Sequence, residues 1–138
     1  MATGTLGTQA RQFDWQATHY LRKKLNYNDA NIGTADKVAV GIIPNNGLIV
    51  GVYVRIETAF NAGTSNTITV GTNAGSDNNI VNSADVDATT IATTEVTRGL
   101  GLALAADTPV YVVYAQTGTA ATQGIATIIV EYIPNNDK

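Results

Sequence analysis

The side chains that could carry catalysis are few in this chain. His19 is the only histidine, and a metal site built on histidine would need a second one. His19 also shares an alternating pattern with Trp15 and Leu21, which favours a structural or interfacial role. Glu57 and Glu131 are the best candidates for the carboxylate pair of a glycosidase, because both occupy outward positions of predicted strands. Nothing in the sequence brings these carboxylates together, so we do not predict an enzyme.

A polar stretch in the second half of the chain could hold calcium, since Asp77, Asp85 and Asp87 lie there among several asparagines. Oxygen ligands of this kind suit calcium. The order of an EF-hand is absent, however, because Asp77 and Asn79 are followed by Val81 and the sixth position is not glycine. The chain also has no cysteine, which excludes disulfides and thiolate zinc sites. We therefore predict no metal and no organic cofactor.

The one basic cluster, Arg22-Lys23-Lys24, could bind an acidic partner surface or a phosphate backbone, although an exposed strand end is the simpler interpretation. Charged residues make up 14% of the chain and the net charge is −3, whereas a nucleic-acid binder would be basic along one face. No stretch approaches the roughly 18 apolar residues of a membrane span, and the N-terminus lacks the features of a secretion signal. We expect a soluble protein made in a cytoplasm, without nucleic-acid or membrane partners.

The secondary structure that must position these residues is predicted to be mainly β-strand. Residues 108–114 and 125–133 are rich in β-branched and aromatic side chains, flank a Gly/Thr-rich segment and predict a long hairpin. Residues 38–43 and 48–57 predict two more strands, with a strong turn signal between them where Pro and Asn-Gly favour chain reversal. In the second of these strands, alternation places four residues on one face: Val50, Val52, Val54 and Ile56.

The remaining segments predict shorter strands and one long loop. A period-2 pattern over residues 13–27 predicts a strand, although helical spacing is partly met there. Residues 67–70 alternate again. We interpret residues 71–90 as a long polar loop that is functional, partly stranded or mobile, and expect weak strands near residues 93–96 and 100–104.

Seven or eight short strands with regular turns and no confident helix indicate an all-β protein, either a sandwich or a barrel. Residues 1–12 are small and polar, which predicts a flexible N-terminal arm. We expect a single β-sandwich domain over residues 13–134 and a short C-terminal tail at residues 135–138.

Several segments resemble the small head decoration, or cement, proteins of tailed bacteriophages, of the jelly-roll type. The resemblance covers residues 13 to 134 and rests on the residue types and the order of five segments: Leu25-Asn-Tyr-Asn-Asp-Ala30, Val40-Gly-Ile-Ile-Pro44, Thr58-Ala-Phe-Asn-Ala-Gly-Thr64, Ile68-Thr-Val-Gly71 and Gly124-Ile-Ala-Thr-Ile-Ile-Val-Glu-Tyr-Ile133. It implies a jelly-roll β-sandwich that binds the major capsid protein and stabilises the assembled phage head. It also implies a virion location on the capsid surface, after synthesis in the host bacterial cytoplasm.

No binding motif of that family can be placed on single residues. From the strand pattern we expect a homo-oligomer, most simply a dimer, because apolar residues occur on both faces of several strands. The residues predicted to contact the capsid or a second copy are Trp15, Tyr20, Arg22, Lys23, Lys24, Tyr111, Ile129 and Ile133. The alternative hypothesis is a tail-fibre or lectin-like carbohydrate-binding module, with Trp15, Tyr20 and Tyr53 as candidate sugar contacts.

Overall fold

The protein is an all-β sandwich of two four-stranded antiparallel sheets. The structure is a computed structural model, which describes residues 17–29, 37–72 and 76–135. No helix occurs within these ranges. The strands are β1 (His19–Asn26), β2 (Val38–Ile43), β3 (Leu48–Thr58), β4 (Ser65–Thr72), β5 (Ser76–Val81), β6 (Thr93–Glu95), β7 (Thr108–Thr117) and β8 (Ile125–Ile133). Sheet A has the order β1-β8-β3-β6 and sheet B the order β2-β7-β4-β5.

This strand order is that of a jelly roll. The chain crosses from one sheet to the other at every connection except that between β4 and β5, which pair directly in sheet B. The first described strand pairs with the last, so that His19 lies opposite Tyr132. Eight strands wound in this way form two Greek keys, an arrangement known from viral capsid and lectin domains. The prediction of an all-β, jelly-roll-like sandwich is confirmed.

The core lies between the sheets and is built from alternate residues of nearly every strand. Its largest fully buried side chains include Tyr114 and Phe60, whose ring centroids lie 4.5 Å apart. Each isoleucine or valine buried there contributes about 1.5–3 kcal/mol. The inward sets of the central strands are Val52, Val54 and Ile56 of β3, Ala126, Ile128 and Val130 of β8, Ile68 and Val70 of β4, and Val110, Val112 and Tyr114 of β7.

The predicted C-terminal hairpin is wrong, although both of its strands exist. β7 pairs with β2 and β4, whereas β8 pairs with β1 and β3 in the opposite sheet. The Gly/Thr-rich segment between them therefore carries the chain across the end of the sandwich. The turn at residues 44–47 also joins two sheets: Asn46 has a φ of 59° and the Gly47 amide donates to the Pro44 carbonyl at 2.9 Å.

The predicted facing of β3 is correct except at Val50. Val52, Val54 and Ile56 are buried, but Val50 is 38% exposed and Ile49 is buried in its place. A β-bulge between Ile49 and Gly51 causes the change, because one extra residue reverses the alternation of the strand. Sequence alternation alone cannot reveal where such a residue is inserted.

The second half of the chain contains confirmed expectations and one that needs correction. Residues 71–90 are partly stranded, as one of the predicted alternatives has it, because the segment contains β5, and it also buries four apolar residues: Ile80, Val81, Val86 and Ala88. No strand forms at residues 100–104, where the chain turns instead and Leu104 packs into the core. The weak strand expected near residues 93–96 is confirmed as β6. The predicted arm at residues 1–12 and Trp15 lie outside the described residues.

Candidate interaction surface

One face of the sandwich gathers most of the residues that the sequence singled out. It is the outer side of sheet A, here called the A face, and its residues alternate with the core residues of the same strands. The A face includes Tyr20, Arg22 and Lys24 of β1, Leu48, Val50, Gly51, Tyr53, Arg55 and Glu57 of β3, Thr93 and Glu95 of β6, and Thr127, Ile129, Glu131 and Ile133 of β8. The strand register arranges these side chains in rows across the sheet.

The first row is apolar and exposed. Leu48 pairs with Ile133 on the neighbouring strand, and their side chains are 47% and 40% exposed. Val50 joins them because the bulge turns it outward. Tyr20, at 66% exposure, lies beside this row on the edge strand β1. Four of the seven exposed large hydrophobic residues within the described ranges therefore lie on the A face, which makes it the candidate contact surface.

The middle row carries opposite charges at its two ends. Register places Arg22 beside Ile129, Ile129 beside Tyr53, and Tyr53 beside Glu95. Arg22 and Glu95 are exposed, and among the described residues neither forms an ion pair. Because strands lie about 4.8 Å apart, these two charges are roughly 14 Å from each other. The row thus has a basic margin, a half-buried apolar centre and an acidic margin.

The last row is polar, and three of its side chains bond to one another. Thr127 is 3% exposed and donates its hydroxyl to Glu57 Oε1 at 2.7 Å, while Lys24 Nζ lies 3.3 Å from Glu57 Oε2. The Thr127 hydrogen bond, followed by the Lys24 hydrogen bond, lowers the pKa of Glu57 from its ordinary value. Arg55 lies next to Thr127 in the register and is exposed.

This geometry separates the two carboxylates considered for glycoside hydrolysis. Glu57 is hydrogen-bonded to Thr127 of β8. Glu131 lies four residues beyond Thr127 in β8, so the backbone positions of Thr127 and Glu131 are about 13 Å apart at 3.3 Å per residue. The carboxyl groups of glycosidases stand about 5–9.5 Å apart. A general acid also needs a raised pKa, whereas that of Glu57 is lowered. These two residues do not form a glycosidase pair.

The aspartates of the polar stretch are occupied by local structure. Asp85 accepts the Asn82 amide at 2.8 Å and receives two hydrogen bonds from Arg98, at 2.7 and 3.0 Å. Asp87 accepts from the Thr89 amide and from the hydroxyls of Thr89 and Thr90. No cluster of three metal-ligating residues occurs in the part of the chain that the structure describes. Both aspartates therefore serve turns, and the side chain of Asp77 lies outside the description.

The structure divides the predicted contact residues among several places. Tyr20, Arg22, Ile129, Ile133 and Lys24 share the A face, but Lys23 alternates to the other side of β1, together with Leu21 and Leu25. Tyr111 lies on the outer face of sheet B, where Lys37 Nζ stands 5.9 Å from its ring centroid. His19 begins β1 and its ring lies 5.8 Å from that of Tyr132.

Sequence reasoning missed Leu48 and Glu95 as members of this surface. The exposed position of Leu48 follows from its pairing with Ile133, which no local pattern indicates. Glu95 belongs to a three-residue strand whose alternation is too short to define a face. The signal that could have found it is the register of β6 against Tyr53, which depends on the whole topology.

Comparison with known proteins identifies the fold. No family model matches the sequence, and no curated protein is similar to it at a significant level. A chain in the capsid asymmetric unit of cyanophage Pam1 superposes with a TM-score of 0.70 at 20% identity, covering 97% of this chain and 92% of that one. A chain of the Helicobacter pylori bacteriophage KHP30 capsid gives 0.61 at 11% identity, covering 86% and 89%. A chain of the Ralstonia phage GP4 capsid gives 0.62 at 14% identity, covering 86% and 85%.

No helix long and apolar enough to cross a membrane occurs in the described ranges.

Proposed function

We propose that this chain is a structural protein of a phage head, which binds the assembled capsid from outside and stabilises it. The observation that carries the proposal is the near full-length match of the jelly roll to chains in three phage capsid structures. The fold alone does not fix function. The composition adds support, because a charge-poor surface rich in Thr and Asn lowers the cost of desolvation in wide protein contacts.

The physical basis of head binding is multivalency. A rigid sandwich can touch two or more capsid subunits, which are held at fixed spacing only in the assembled shell. Once the first contact has formed, the second forms at a high effective concentration, so affinity for the lattice exceeds affinity for a free subunit by about 10²–10⁴. Each bridge then opposes separation of the subunits that it joins, without any catalytic step.

Co-sedimentation with heads assembled in cells that lack this gene tests the proposal. We expect the purified chain to enter the pellet saturably at micromolar concentration and to raise the temperature at which the heads disrupt. Unassembled capsid subunits are the matched control and should bind about 100-fold more weakly or worse.

Two results would contradict head binding. If the chain stayed in the supernatant while the heads remained intact, a tail-fibre or lectin-like role would replace it, and glycan binding at Tyr20 and Tyr53 would be the next measurement. If the chain alone assembled into closed shells, it would be the shell subunit and not an added protein.

A further inference from the structure

We propose that the A face binds an arginine side chain of its protein partner, and that the Glu131 carboxylate receives this arginine between Tyr20 and Tyr53. The inference rests on the proposed function for the identity of the partner, a capsid subunit, and adds the chemistry of the contact. Three properties of Glu131 support it: its place at the centre of the face, the absence of an ion pair, and its apolar neighbours.

A notch at Gly51 holds the Glu131 carboxylate close to the sheet. Gly51 is buried and lies opposite Glu131 in the register. A Cβ built on this glycine would lie 2.7 Å from Glu131 Oε2 and 3.2 Å from Tyr53 Cε2. Since both atoms lie so close to one point, the carboxylate and the edge of the tyrosine ring are neighbours above Gly51. A larger residue at position 51 would push them apart.

Tyr20 borders the carboxylate on the other side, because it lies directly opposite Glu131 in the ladder between β1 and β8. One step beyond the end of this ladder, the Tyr27 amide donates to the Gly124 carbonyl at 2.9 Å. The odd-numbered residues of β1 therefore form the hydrogen-bonded pairs, and Tyr20 and Glu131 form a pair of the other kind. Side chains of such pairs lie closer together. The carboxylate is thus flanked by a tyrosine on each neighbouring strand.

Within the ranges that the structure describes, no cation pairs with Glu131. Lys24 is bonded to Glu57 instead. Arg22, the nearest cation in the register, lies opposite Ile129 and forms no ion pair with the Glu131 carboxylate. The remaining cation of the A face is four residues further along the sheet, about 13 Å away at 3.3 Å per residue. The charge of Glu131 is therefore left for water or a partner to compensate.

Covering the apolar row forces a partner to cover this carboxylate as well. Ile133 lies two residues from Glu131 on the same face of β8, and Val50 directly precedes Gly51. A partner that removes Leu48, Val50 and Ile133 from water therefore also removes Glu131 from water. Burying a carboxylate without a counter-charge is costly, and a cation supplied by the partner offsets this cost.

Arginine fits these surroundings better than other groups. Its planar guanidinium binds a carboxylate through two parallel hydrogen bonds and stacks on aromatic rings, whereas the lysine ammonium is a compact, strongly hydrated charge. A neutral sugar would contact the two tyrosines but would leave the carboxylate charge uncompensated. A second copy of this chain, docked face to face about the boundary between β8 and β3, would bring another Glu131 carboxylate to this point. The occupant is therefore a basic side chain of a different protein.

Co-sedimentation of variants with heads assembled without this chain tests the contact in place. Glu131→Gln keeps the size of the side chain and removes its charge, so that the partner's arginine would be buried without a counter-charge. We expect this variant to bind at least about tenfold more weakly than the natural chain. Gly51→Ala keeps every charge but displaces the carboxylate and the Tyr53 ring. It should weaken binding at least about threefold.

Glu95→Gln is the matched control, because it makes the same charge change on the same face, at an exposed carboxylate two strands away from β8. It should bind within about twofold of the natural chain. Far-UV circular dichroism and melting temperature verify that each variant is folded. If Glu95→Gln weakened binding as much as Glu131→Gln, overall charge would account for the effect and the proposal would be overturned.

A titration of the isolated chain separates arginine recognition from head binding. The probe is N-acetyl-arginine N-methylamide, followed through the NMR chemical shifts of the Gly51 and Glu131 amides, and the neutral citrulline analogue is its matched control. We expect saturable shifts with a dissociation constant of roughly 10–100 mM for the arginine probe. The citrulline probe should cause none, and Glu131→Gln should bind the arginine probe at least about threefold more weakly.

The two experiments fail in different ways. If the natural chain did not bind heads but did bind the arginine probe, head binding would be contradicted and arginine recognition would be supported. If Glu131→Gln bound heads as well as the natural chain does, head binding would stand and the role of Glu131 would be overturned. Equal shifts with the arginine and citrulline probes would also overturn it, because the carboxylate would then not distinguish a cation from a neutral group.

Discussion

Gly124 shows how strongly a single residue can be constrained by this fold. It lies just before β8 with a φ of 151°, and a Cβ at this position would overlap the ring of Phe60, which is 2% exposed. Gly124→Ala should therefore destabilise the protein by about 2–4 kcal/mol, because it combines steric overlap with an unfavourable backbone conformation. Urea denaturation followed by circular dichroism measures the change in the free energy of unfolding.

Gly101→Ala separates the two causes. Gly101 has a φ of 73°, but nothing lies within 4 Å of a Cβ built there. This variant should lose only the conformational part, about 1–2 kcal/mol. Equal losses at the two glycines would show that contact with Phe60 contributes nothing to the effect at Gly124.

At the scale of elements, Asp85 ties together the two connections that flank β6. It accepts the Asn82 amide in the turn after β5 and two hydrogen bonds from Arg98, which follows β6. The hydrogen bonds from Arg98 are the largest cause that lowers the pKa of Asp85 from its ordinary value of 3.8. Since the folded-state pKa lies below the unfolded one, this interaction stabilises the protein above pH 3.8 and is lost as the pH falls through the folded pKa.

Arg98→Gln should therefore lower the melting temperature at pH 7, because it removes the ion pair with Asp85. The loss should be only a few degrees, because this pair is partly exposed. The difference from the natural chain should shrink as the pH falls below 3.8 and the Asp85 carboxyl becomes protonated. Differential scanning calorimetry at several pH values measures it. In an Asp85→Asn background the same substitution should have little effect at pH 7. A difference that is independent of pH would show that Arg98 acts through packing and not through the carboxylate.

The elements themselves were largely predictable from the sequence, whereas their partners were not. Alternation located β3, β7 and β8 because each has nine or more residues and a largely buried inward face, and it also located the six-residue β2, of which only Ile43 is fully buried. The hairpin inference failed because it assumes that neighbouring strands in sequence pair with each other, and a jelly roll sends them to opposite sheets. The bulge in β3 was equally hidden, since one inserted residue leaves no compositional mark.

The surface shows the same division between local and non-local information. Tyr20, Arg22, Lys24 and Ile129 were selected from residue type and local strand pattern in β1 and β8, and the structure places them on one face. Their arrangement in rows, and the presence of Glu95 opposite Arg22, depend on pairings between distant parts of the chain. The arrangement of the A face in rows is therefore a property of topology, which no short motif encodes.

For the whole molecule, this topology predicts slow and cooperative folding. β4 and β5 are the only consecutive strands that pair within the described chain, and every other ladder joins strands separated by at least two connections. Loop-closure entropy must be overcome before such non-local contacts form, so we expect refolding on the scale of milliseconds to seconds. Stopped-flow circular dichroism after dilution from urea measures the rate, and equilibrium unfolding should show one transition because both sheets share one core. Refolding within tens of microseconds, or two separate equilibrium transitions, would contradict a sandwich whose first and last described strands must meet before sheet A can close.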